Sequence, residues 1–290
     1  MDILSSVLLS GVVLGSLYAL MATGLALVWT TLGIFNFAHG IFIALGAYVA
    51  WQFGTEEGFG LGATIGIVAA VSLLAALGCL IERTLVRPFL GHRNLVLAVV
   101  ITTLAALIFL ENSALLVWGP RFKQLPPLVD GTLAIGGLDI AAHEVLIVLL
   151  SPALLLALWA FLRLTYMGAA LRAVSQNQDA ALMVGIPVPV LFALAFGISA
   201  ALAAIAGVLL GSIRFITPAM GNEPLVKALI VAIFGGLGSI SGTIGGAYVI
   251  GMLEAVCVYF IGLYWTPAAL FLCMILVLLV RPQGLFGRVD

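Results

Sequence analysis

The chain predicts an all-α polytopic membrane protein, on three observations. Its 290 residues are 64% hydrophobic and only 8% charged, whereas a soluble domain carries about 25% charged residues. Mean hydropathy is +1.30, which leaves too little polar surface to cover the chain in water. Apolar runs recur from end to end, several interrupted by glycine, and at ~20 residues per bilayer crossing they amount to about 8–9 transmembrane segments, broken or half-helices included. The whole of 1–290 reads as a single transmembrane domain.

In order, the candidate segments are 4–29, 37–53, 61–81, 95–118, 143–162, 188–211, 225–237, 240–262 and 265–280. Met1-Asp2-Ile3 supplies no basic region, and the first run has no small-residue cleavage site. That run is expected as a retained helix and not a cleaved signal. The 225–237 run is short and ends in Gly235-Gly236-Leu237-Gly238, the pattern of a half-helix. Whether it crosses or re-enters decides the side of everything after it.

The stretch Gly33-Ile34-Phe35-Asn36-Phe37-Ala38-His39-Gly40 sets an amide and an imidazole between the runs Leu8 to Val28 and Ile41 to Trp51. Polar groups at membrane depth are costly unless they are paired or line a wet cavity. Two roles are therefore open to Asn36 and His39: lining a solute path, or bracing the break by hydrogen-bonding freed backbone groups.

Glycines at four-residue spacing (Gly11/Gly15, Gly58/Gly62/Gly66, Gly207/Gly211) predict close helix packing. The set Gly238/Gly242/Gly246 also carries Ser239, Ser241 and Thr243 behind the Gly235-Gly236 break, so packing and a polar lining both fit it. A weak internal repeat links the two breaks: Gly46-Ala47-Tyr48-Val49-Ala50 returns as Gly246-Ala247-Tyr248-Val249-Ile250. Paired interrupted segments of this kind point to a transporter's binding region. Glu254 is a lone carboxylate within 240–262, a functional candidate on position alone. Glu111 and Asn112 fall toward an end of 95–118, and His92 and His143 read as ordinary loop residues. Cys79, Cys257 and Cys273 sit in apolar runs without metal or disulfide spacing.

Orientation follows from lysine and arginine. Arg83, Arg87, Arg93, Arg163, Arg172, Arg281 and Arg288 share one side if 225–237 crosses; Arg121, Lys123, Arg214 and Lys227 share the other, with Asp2 and most of the acidic residues. The C-terminus and the 163–186 loop are accordingly expected in the cytoplasm, and the N-terminus outside. Net charge is −1, which gives no case for nucleic acid as a partner.

The loop 165–186 is too polar to span and too regular for a loose connector. Ala170, Leu171, Val174, Ala181 and Leu182 form an interrupted apolar face; Asn177 and Asp179 break or cap between two short helices; Gly185 and Pro187 stop the second. A docking handle for a soluble partner and an interfacial helix resting on lipid both fit.

The run from Ile34 to Gly40, continued by Leu45-Gly46-Ala47-Tyr48, resembles the signature of LivH-type permease subunits of the branched-chain amino acid ABC importer family. Gly168, Arg172-Ala173, Asn177, Ala180 and Gly185-Ile186 resemble that family's cytoplasmic coupling segment. Phe234-Gly235-Gly236-Leu237-Gly238-Ser239-Ile240-Ser241-Gly242 is similar to its glycine-rich break, and Arg281-Pro282-Gln283-Gly284-Leu285-Phe286-Gly287 to its C-terminal tail. Ile41 departs from the acidic residue expected after the His-Gly pair, and Ser241 from a common proline.

The resemblance implies a permease of the bacterial cytoplasmic (inner) membrane, working by alternating access. Its implied partners are a second permease subunit, two P-loop ATPases and an extracytoplasmic solute-binding protein, with no cofactor of its own. The implied solute is a branched-chain amino acid, with urea or short amides as the alternative. Neither Lys123 nor Lys227 follows glycine, so the chain has no P-loop; ATP and Mg belong to the partner ATPases. Under this reading Asn36, His39, Gly40, Gly238, Ser239, Ser241, Gly242, Thr243 and Glu254 line the path or support the broken helices, and Glu254 has the option of pairing with a cation on the second permease. Gly168, Arg172, Asn177, Asp179 and Gly185 shape the ATPase-coupling surface, where Arg172 also fits as a solvated anchor. An enzyme is not expected: the Gly238–Gly242 serines lack a hydrolase order, and His39 has no serine partner visible in sequence. A stand-alone carrier using Glu254 and His39 as a titrating pair is the rival from another class.

Overall fold

A computed structural model describes residues 3–92, 94–135 and 138–287; Asp2, Arg93 and Arg288, used above for orientation, lie outside the described residues. The helices are α1 (Ile3–Leu32), α2 (His39–Gly54), α3 (Ala63–Ile81), α4 (Leu95–Trp118), α5 (Ala142–Leu164), α6 (Tyr166–Gln176), α7 (Gln178–Met183), α8 (Val188–Gly211), α9 (Asn222–Gly235), α10 (Ile240–Ile261) and α11 (Thr266–Val280). Every predicted apolar run is a helix, and α6 and α7 are the two short helices expected in the 165–186 loop. Among the described residues, six helices are long and apolar enough to cross a bilayer. At 1.5 Å per residue, α9 is only about 21 Å long against a hydrocarbon core of about 30 Å. The break after α1 likewise leaves α2 with 16 residues.

Two features depart from the sequence reading. Strands β1 (Thr132–Ile135) and β2 (Leu138–Ala141) form an antiparallel hairpin before α5. The chain also stays helical beyond Ile81, as a π-helical turn over Glu82–Val86 and a 3-10 turn over Arg87–Phe89. Arg87 is therefore not a loop charge. Its guanidinium holds the fully buried Glu82 carboxylate through two bonds, Nη2 to Oε2 at 2.8 Å and Nε to Oε1 at 3.2 Å. The i, i+5 spacing of that pair is the spacing of the π turn itself.

The chain gathers into two compact units. The first comprises Met1–Ala26, Pro127–Leu155 and Val226–Asp290; the second comprises Leu27–Pro126 and Leu156–Leu225. In the first, α1 crosses α10 where Gly11 and Gly15 meet Met252 and Tyr248, and where Gly251 lies against the Gly15 backbone. There α9 also packs on α10, with Gly235 facing Gly242 and Thr243. In the second unit, α2, α3 and α8 pack together, with Gly46 against Ala204 and Gly207 against the Ile43 carbonyl. At Gly46, Gly207, Gly235 and Gly251 an added Cβ would collide with the facing backbone. Small residues let backbones meet, which matters where lipid removes most of the hydrophobic drive between helices.

Candidate functional site

The second unit holds the α1–α2 break. Helix α1 ends at Leu32, and Gly33 turns the chain with φ +69°, a left-handed conformation that costs glycine no Cβ clash. The freed backbone groups then find local acceptors. The Ala38 amide donates to Asn36 Oδ1 at 3.1 Å, the His39 amide to the Asn36 carbonyl at 3.2 Å, and the Phe37 amide to Thr103 Oγ1 of α4 at 3.3 Å. Asn36 thus braces the break with its oxygen. Its Nδ2 is buried and has no hydrogen-bond partner among the described residues.

His39 opens α2 and is fully buried, sharing a 3.1 Å hydrogen bond between its Nδ1 and Ser199 Oγ of α8. The serine partner of His39, not visible in sequence, lies 160 positions away, where no spacing rule reaches it. Gly40 lets α2 approach Gly221 and Leu225 closely.

The first unit holds the second break. Gly236 and Gly238 both have positive φ. Ser239 caps α10, accepting from the Gly242 amide at 3.0 Å, while Thr243 Oγ1 donates to the Ser239 carbonyl at 3.0 Å. Ser241 is exposed, with its Oγ 3.2 Å from that of Ser239. The C-terminal tail seals this break: the Leu285 amide donates to the Phe234 carbonyl at 2.9 Å and the Phe286 amide to Gly235 at 3.3 Å. Two stretches read as separate motifs therefore form one structure. Gly242 makes room for Phe286 Cβ and Gly245 for its ring, and Gly284 lies on Gly236.

Deeper in the same unit, Glu254 of α10 is buried and pairs with Lys227 of α9 at 2.6 Å. Its other oxygen accepts from Tyr18 Oη of α1 at 2.7 Å. The Lys227 ammonium lies 5.6 Å from the centre of the Tyr18 ring. This corrects two readings. Lys227 is no solvated charge outside the membrane, and Glu254 finds its cation within its own chain. His143 is also corrected: it is 5% exposed at the start of α5, its Nδ1 accepting from the Leu128 amide at 3.4 Å.

The 165–186 segment belongs to the second unit. Thr165 caps α6 through the Gly168 amide, and Gly168 packs on Phe161 and Leu162. Asn177 caps α7, accepting from the Ala180 amide at 2.9 Å, with Asp179 exposed in the first turn. Gly185 closes α7 with φ +80°. Ala170, Leu171, Val174 and Ala181 are buried as expected, but Leu182 faces outward with Tyr166, Met183 and Val184. Arg172 is half-buried, and its Nη1 has no hydrogen-bond partner among the described residues. Gln178, which the sequence reading passed over, donates from Nε2 to the Thr31 carbonyl at 3.2 Å. That bond ties α7 to the last turn of α1, two residues before Gly33.

Broken helices, buried polar groups at the breaks and a bundle of bilayer-length helices define the class: a multi-pass membrane transport protein. The family model described as "Branched-chain amino acid transport system / permease component" matches residues 7–280. The chain is 36% identical to the high-affinity branched-chain amino acid transport system permease protein LivH of Escherichia coli (strain K12), over 96% of this chain and 94% of that protein. It is 33% identical to the permease protein BraD of Pseudomonas aeruginosa over 97% and 95% of the two chains. It is 30% identical to a probable LivH of Methanocaldococcus jannaschii over 99% and 94%. No solved structure matches it. The chain belongs to the family of branched-chain amino acid transport permease components, and is a transport subunit and not an enzyme.

Proposed function

We propose that this chain is one permease subunit of an ATP-driven importer for branched-chain amino acids, acting as a single transmembrane permease domain in the cytoplasmic (inner) membrane. Its partners in this reading are a second permease, two P-loop ATPases that hold ATP and Mg, and an extracytoplasmic solute-binding protein. The chain itself carries no cofactor. The C-terminus and 165–186 face the cytoplasm and the N-terminus faces outward.

One observation carries the mechanism: the Gln178–Thr31 bond joins the coupling segment to the α1 end that leads into the Asn36–His39 break. A push on α6 and α7 reaches the break through one hydrogen bond and one helical turn, and alternating access follows if the break has two arrangements. The exposed Tyr166, Leu182, Met183 and Val184 with Arg172 form the surface the ATPase pushes on. Asn36 Nδ2, a buried donor with no acceptor among the described residues, is a contact for a solute oxygen as it passes.

Purification in mild detergent followed by mass spectrometry tests the assembly. Near-stoichiometric ATPases and a second permease, with leucine uptake by the reconstituted complex that requires ATP, are the expected outcome. A lone chain that moves solute down a gradient without ATP would overturn it.

A further inference from the structure

The buried pair Lys227–Glu254 has no evident structural necessity. Its two side chains are only 6% and 2% exposed, and taking both ions out of water costs more than their mutual attraction reliably returns. Apolar side chains of similar volume would join α9 to α10 as well, because the glycines along α1, α9 and α10 already bring the backbones together. Ionisable groups within spanning helices mark solute or ion pathways by default.

We propose that Lys227 and Glu254 are a binding site for the zwitterionic head of an amino acid, the ammonium of Lys227 taking the α-carboxylate and the carboxylate of Glu254 taking the α-ammonium. This rests on the reading that the chain moves amino acids. A zwitterion in a low-dielectric path needs one opposite charge for each of its own. A protein that offered only one would leave a charge unpaired in both the empty and the loaded state. A lysine and a glutamate that close on each other when the path is empty, and open to a solute of the same two charges, keep the site neutral throughout.

The surrounding elements suit such an exchange. Lys227 rides on α9, the shortest of the membrane helices, entered by a 3-10 turn (Pro218–Gly221) and left by the Gly236 break. Tyr18 Oη keeps a second hydrogen bond on Glu254, so the carboxylate stays oriented while its other oxygen changes partner. The site selects the amino-acid head and is indifferent to the side chain.

The test is uptake of labelled leucine per assembled complex in proteoliposomes holding all the subunits. The double variant K227M/E254M replaces the pair by apolar groups and leaves neither member of the pair as a buried charge without the other. Assembly with uptake reduced at least about 100-fold is the expected result. Uptake within about threefold of wild type would reduce the pair to a packing device and overturn the proposal. Should the double variant fail to assemble, Tyr18→Phe decides, since it keeps the ring and deletes the hydroxyl that bonds Glu254. Uptake per complex should fall about tenfold; wild-type uptake would overturn the proposal. If wild-type complexes take up no leucine, the importer reading fails before this one is reached.

Discussion

At the scale of single residues, several buried polar groups are held in pairs, and each pair makes its own demand on stability. Glu82 is fully buried against Arg87, whose Nη2 also donates to the Pro189 carbonyl at 2.9 Å. Arg87→Met leaves that carboxylate without its cation, a loss of about 3–5 kcal/mol. A marked fall in melting temperature of the purified protein is expected, and Glu82→Gln in the same background should recover part of it. The His39–Ser199 bond is milder. Ser199→Ala should cost about 1–3 kcal/mol by orphaning a buried imidazole nitrogen, read by the same melting measurement, whereas equal melting would show that His39 is satisfied without the hydroxyl.

At the scale of elements, short helices depend on their ends. Helix α7 has six residues and a side-chain cap from Asn177. Asn177→Ala should cost about 1 kcal/mol while Asn177→Asp retains most of it. Hydrogen exchange over 178–183 should quicken in the alanine variant, with weaker retention of the proposed ATPase partners; unchanged exchange would refute the capping role. The tail makes a similar demand on the α9–α10 break. A Cβ on Gly284 would come within 2.6 Å of the Gly236 backbone. In Gly284→Val the amides of Leu285 and Phe286 should therefore exchange rapidly, because their acceptors at Phe234 and Gly235 are lost. Slow exchange at both would show that the seal tolerates displacement.

At the scale of the whole molecule, the corrected placement of Lys227 changes the charge argument for orientation. A buried, paired lysine contributes little to the positive-inside bias, so the proposed orientation sets Arg121, Lys123 and Arg214 against the basic loops. Lys123 is itself engaged, its ammonium 3.6 Å above the Trp51 ring. Lys227→Gln should leave the topology unchanged, with a C-terminal reporter active on the cytoplasmic side; inversion by this one substitution would return Lys227 to the role of a topogenic charge.

What the sequence determined by itself was local: which stretches are apolar enough to be helices, where Gly33 and Gly236 interrupt them, and that Asn177 and Asp179 break or cap between two short helices. Each depends on neighbours within a few turns, where periodicity and backbone freedom decide. The tertiary structure alone decided the partners. Glu254 meets Lys227 and Tyr18, His39 meets Ser199, Gln178 meets Thr31, and the tail meets the glycine break. These residues are separated by tens to hundreds of positions, and a lone polar residue in an apolar run reveals its own need for a partner but not where the folded chain supplies one. Burying it makes the partner obligatory; only the packing of the helices names it.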